Sequence, residues 1–269
     1  MTTEESTETS QESAETKEVE GLQDAHMSFL GHLGELRQRL VYSIVAVFIA
    51  FGVCWFFVEE LFIFLQQPLV EAARATGHEA SSNLHYADVT EEFFTMLKTA
   101  ALAAIFAASP AVFYNIWKFV APGLYPNEKR AVLPFMLFGT LCFFAGAAFC
   151  YYVVIPLGYG FLFDFSDVSQ PMLMINEYFG TTTKLLLAFG VVFQLPVVTY
   201  FLSAVGILTH RILIKQWRIA VVVAFILAAM LTPPDVITQA LLAGPMILLY
   251  VISVVIAYVQ TRRRERAEE

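Results

Sequence analysis

Apolar residues in this chain fall into long runs. Uncharged stretches close to the ~20 residues that a helix needs to cross roughly 30 Å of hydrocarbon occupy Leu40 to Val58, Thr99 to Trp117, Ala131 to Leu157, Leu185 to Thr209 and Val236 to Val259. A helix at the edge of a soluble core needs only one apolar face, so runs like these predict five membrane-spanning helices. A sixth run, Ile219 to Leu231, lies between Arg218 and the turn Thr232-Pro233-Pro234-Asp235. It reaches only about 20 Å at 1.5 Å per residue, so it crosses where the bilayer thins. Only a few residues separate it from the last run, so those two should pack as an antiparallel hairpin. The expected fold is an all-α integral membrane protein of six transmembrane helices, the last two short, forming a concave bundle. Pro110, Pro134, Pro156, Pro196 and Pro245 lie in or beside the spans and should kink them.

Two connections on one side of the membrane are long. Glu59 to Lys98 carries the apolar stretch Leu61 to Leu65 and an acidic cluster of Asp88, Glu91 and Glu92, and Gly158 to Thr183 scatters Asp164, Asp167 and Glu177 among phenylalanines. Both should fold as short amphipathic helices that cap the bundle. Residues 1–26 are rich in Thr, Ser and Glu and read as a disordered acidic tail. Residues 27–260 form the transmembrane domain, and 261–269 a charged tail. The first run begins only near residue 40, after acidic residues, so no cleaved signal peptide is expected and that run should stay in the mature protein.

Charge sets the orientation. With six crossings, 13 of the 16 Lys and Arg residues fall on the side holding both termini, and only Arg74, Lys98 and Lys184 fall opposite. The positive-inside rule then places both termini in the cytoplasm. Hydrophobic residues make up 58% of the chain, more than a soluble domain of 269 residues could bury. A net charge of -8 argues against a nucleic-acid partner. Cys54, Cys142 and Cys150 lie within apolar stretches and fit neither a disulfide framework nor a metal site. All five histidines lie outside the spans, without a nucleophile–base grouping, so neither an enzyme nor a cofactor is expected. The other alternative, a secondary transporter of a small solute, needs ionisable groups near the midplane or paired interrupted helices. Gln194 is a thin candidate for that role.

Two segments carry candidate chemistry. His32-Leu33-Gly34-Glu35-Leu36-Arg37-Gln38-Arg39-Leu40 places Phe29, Leu33, Leu36 and Leu40 on one helical stripe, with Glu35 and Arg39 on a neighbouring face. Its plainest reading is an interfacial helix with a Glu35–Arg39 pair one turn apart. Trp117 to Arg130 reads as a cytoplasmic turn shaped by Pro122, Gly123 and Pro126, with Phe119 and Tyr125 at headgroup level.

Taken with the run AFGVVFQLP at Ala188 to Pro196 and LTPPD at Leu231 to Asp235, these segments resemble the TatC family of twin-arginine translocase subunits, in the same order and at similar spacings, over residues 26 to 260. The resemblance implies a receptor for twin-arginine signal peptides. It would recruit single-span TatA and TatB subunits, form homo-oligomers within a larger complex in membrane lipid, and export folded proteins on the proton gradient. It assigns Glu35 and Glu128 to the arginine pair, with Arg37, Phe119, Pro122 and Tyr125 around them. A guanidinium binds a carboxylate through a bidentate fork that lysine cannot form. The resemblance also implies partner or intramembrane contacts at Gln194, Pro233 and Asp235. Family members often carry Glu at the position of Gln194; Gln cannot ionise, which weakens any proton-carrying scheme there. Asp235 is equally placed to cap the following helix.

Overall fold

The computed structural model describes residues 33–77, 84–124, 132–164, 172–232 and 236–268. Five helices are long and apolar enough to span a membrane. The first is α1 (Leu33–Trp55). Helix α3 (Val89–Leu124) contains the second span. The third combines α4 (Val132–Phe149), a π turn at Cys150–Val154 and α5 (Ile155–Asp164). The fourth combines α6 (Ile175–Val192) and α7 (Leu195–Val205), and α10 (Val236–Glu268) contains the fifth. The shorter apolar helix is α9 (Trp217–Leu231). Between spans lie α2 (Val58–Ala75) and the single-turn α8 (His210–Lys215). Two residues each of β1 (Leu84–His85) and β2 (Leu173–Met174) pair in parallel, a minor departure from an all-helical chain.

Proline shapes two of the spans. Pro156 would press on the carbonyl of Tyr152 in a regular helix. The π turn just before it, closed by the Ile155 N–H on the Cys150 carbonyl, widens the helix there. Between α6 and α7 the chain steps through Phe193 and Gln194, and Pro196 opens α7 without an N–H to give.

Helix α2 lies in the first long connection, where a short helix was expected, and it is held firmly. Pro68 within it cannot donate to the Phe64 carbonyl. The Tyr151 hydroxyl does so instead, at 2.6 Å, while the Tyr151 ring stacks on Phe64 at 4.6 Å. The Tyr178 hydroxyl donates to the next carbonyl, that of Leu65, at 2.7 Å, and Phe62 stacks on Phe179 at 4.3 Å. Leu69, Phe163, Tyr178, Phe179, Phe189 and Leu242 are almost wholly buried in the core between these elements.

Three expectations change. The last helix is long: α10 runs for 33 residues because Arg262 to Glu268 continue the helix beyond the apolar run. The second outer connection contains no separate cap among the described residues, since 158–164 belong to α5 and 175–183 to α6. Its described end instead pairs with the first connection through β1 and β2, reinforced by the Asn176 N–H on Glu91 Oε1 at 2.9 Å and Lys98 Nζ on Asn176 Oδ1 at 2.7 Å. The turn expected from Trp117 begins later, because α3 continues to Leu124.

Candidate functional site

The first described turns of α1 place Glu35 and Arg39 one turn apart, and Arg39 Nη2 donates to Glu35 Oε1 at 2.9 Å. Arg39 is the more enclosed, its side chain 18% exposed against 37% for Glu35. One carboxylate oxygen is therefore held while the group stays open to solvent. Arg37 is exposed on another face. No residue of α1 from 33 to 55 is buried.

Phe119 and Pro122 lie in the last turns of α3, with Phe119 half-buried. Tyr125 and Glu128, like Pro233 and Asp235, lie outside the described residues. Connectivity puts the C-terminal end of α3 and the start of α1 at the same end of the bundle, together with α8 and the end of α10. Two cations at this end rest on aromatic rings. Lys118 lies 5.3 Å from the Tyr114 centroid, and Arg262 lies 4.8 Å from that of Tyr258.

Gln194 occupies the break between α6 and α7. Its N–H donates to Val191 O at 2.9 Å, a tighter turn than an α-helix makes. Its side-chain Nε2 reaches across to the Gly139 carbonyl of α4 at 3.0 Å. The amide is thus held by protein, as an amide at membrane depth requires. Sequence reasoning did not single out Trp117, which meets this same place. Its ring stacks on Phe135 at 4.9 Å and meets Phe201 edge-on at 4.8 Å. A Cβ on Gly139 would lie 3.4 Å from Gln194 Oε1 and 3.5 Å from Trp117 Nε1. Both polar groups thus lie within ordinary contact distance of that Cβ position. Trp117 Nε1 is buried without an acceptor among the described residues. A tryptophan at the end of an apolar run, beside a proline-rich turn, was the available signal, but nothing in the sequence names its partners.

Near the α9–α10 turn, Gln239 Nε2 donates to Phe225 O at 2.9 Å and stitches the hairpin. The Thr232 hydroxyl caps the Ala228 carbonyl at 2.9 Å. Among the described residues no group of His, Cys, Asp and Glu is arranged to hold a metal.

Comparison with known proteins gives a consistent answer. The family described as Sec-independent protein translocase protein (TatC) matches residues 31–245. The protein of that name from Koribacter versatilis is 39% identical over 248 residues, covering 90% of this chain and 91% of its own. Its namesake from Desulforapulum autotrophicum is 41% identical over 242 residues, with 90% and 88% covered. A crystal structure described as the twin arginine translocase receptor TatC is 35% identical and superposes with a TM-score of 0.77, covering 86% of this chain and 99% of that one.

Proposed function

The chain belongs to the TatC family of Sec-independent protein translocase proteins, and from that premise we propose that Glu35 and Glu128 hold the paired arginines of a signal peptide at the cytoplasmic end. It is an integral membrane protein and a twin-arginine translocase receptor subunit, a transport component rather than an enzyme. The observation that carries the reading is the half-exposed Glu35 carboxylate with one oxygen fixed by Arg39. An anion oriented in this way has a free edge for an incoming guanidinium and little conformational freedom left to lose. Each arginine contact at a partly solvated surface contributes about 1–3 kcal/mol and weakens with salt. Arg37, Phe119, Pro122 and Tyr125 form the surround, and the apolar part of the signal lies against the spans.

In this reading α9 is a sixth crossing in a locally thinned bilayer of the bacterial inner membrane, the bundle is concave, and both termini are cytoplasmic. Single-span TatA- and TatB-type subunits dock on the polar features at Gln194, Pro233 and Asp235. Several copies of the chain assemble in the complex, and the proton gradient drives export of folded cargo.

The test is photocrosslinking of a twin-arginine signal peptide to the purified protein in lipid. Labelling at the Glu35 end should fade with Glu35→Ala, with Glu128→Ala and with a twin-lysine peptide. Equal labelling by both peptides, with neither glutamate mattering, removes the paired-carboxylate mechanism.

A further inference from the structure

At the end of the bundle opposite the start of α1 and the end of α10, two lysines stand well along their helices. Lys98 and Lys184 each lie nine residues beyond the start of α3 and α6, roughly 14 Å along the helix axis. Both line one open cavity of about 670 Å³, together with Asn176, Glu177 and the end of the short helix α9 at Met230 and Leu231. Because α9 stops at this level while α3 and α6 run on, the bundle has a notch there. Cations form part of its wall and apolar side chains part of its floor.

Among the described residues the charge in this notch is unbalanced. Glu177 opposes two lysines, and neither lysine forms an ion pair among the described residues. Lys98 donates to the neutral Asn176 amide oxygen at 2.7 Å. A further described carboxylate near by, Glu91, already accepts the backbone N–H groups of Ala87 at 2.7 Å and Asn176 at 2.9 Å. An ammonium group beside hydrocarbon calls for an anion or water. The lining joins that positive charge to apolar surface, and an anionic lipid in the surrounding bilayer has both matching parts.

We propose that this notch binds the phosphodiester headgroup of an anionic phospholipid, with Lys98 and Lys184 on the phosphate and Met230 and Leu231 against the first acyl carbons. The lipid makes up the hydrophobic height that α9 lacks and neutralises the surplus charge among the described lining residues.

Delipidated full-length protein in neutral detergent, titrated with phosphatidylglycerol, phosphatidylcholine or glycerol 3-phosphate and weighed by native mass spectrometry, tests this. Phosphatidylglycerol should be retained in preference to phosphatidylcholine, and glycerol 3-phosphate should not displace it. Lys98→Gln with Lys184→Gln should lower retention about tenfold or more. The corresponding Arg variants should restore it, and Arg74→Gln, which removes a cation outside the notch, should change nothing. Lys184 makes no hydrogen bond to another element among the described residues, so Lys184→Gln carries the test alone if Lys98→Gln disturbs the fold. Equal retention of the two lipids, or an equal loss in Arg74→Gln, overturns the proposal. Competition by glycerol 3-phosphate would make this a site for free anions. Displacement of lipid by an apolar helical peptide bearing one Glu would make it a helix-docking site instead.

Discussion

At the scale of single residues, the spacing of Glu35 and Arg39 was enough to anticipate their bond, because a helix brings side chains four apart together whatever surrounds it. The partner of Gln194 was not legible in the same way. Its acceptor is a backbone carbonyl 55 positions away, and every residue carries a carbonyl. The same holds for the two tyrosine hydroxyls that reach into α2, where a proline announces an orphaned carbonyl but not the donor that serves it. That donor can be tested. Tyr151→Phe keeps the ring stacked on Phe64 and removes only the hydroxyl, so it should cost about 1–2 kcal/mol, read as a lower midpoint of thermal unfolding in detergent. An unchanged midpoint would mean that water serves the Phe64 carbonyl equally well.

At the scale of elements, all five long runs became helices, because hydrocarbon leaves a backbone no cheaper way to satisfy its polar groups. Helix length was harder to read. Hydrophobicity bounds the portion in lipid, but a helix continues through charged residues, as α10 does. Glycine sets the approach of α4 to α6. A Cβ on Gly146 would meet the Phe189 carbonyl oxygen at 2.5 Å, whereas one on Gly190 would meet the ring of Phe143 at 2.6 Å. A backbone carbonyl cannot swing aside and a phenyl ring can. Gly146→Ala should therefore destabilise by about 1–3 kcal/mol, and Gly190→Ala by clearly less. Equal unfolding midpoints for the two would show that the helices slide apart freely.

At the scale of the whole molecule, the two ends of the bundle differ in how they are finished. One is sewn together by the β1–β2 pair, by Asn176 and by α2; the other carries Glu35 at the start of α1 and the end of α10. The proposed orientation predicts that, with Cys54, Cys142 and Cys150 replaced by serine, a cysteine at Arg266 labels only from the cytoplasm and one at Glu177 only from outside. Labelling of both from one side would refute an even number of crossings. The twist of the spans around Pro156 and Pro196 could be anticipated, but the notch over α9 could not, because it arises from helices of unequal length meeting at one level. Helix α1 stands apart from the rest. A span with no buried residue owes its insertion to the bilayer and almost nothing to its neighbours, so during synthesis it can settle as a self-sufficient unit before any residue of the core exists. If Glu35 receives the signal as proposed, its carboxylate is then in place before the machine it serves has been assembled.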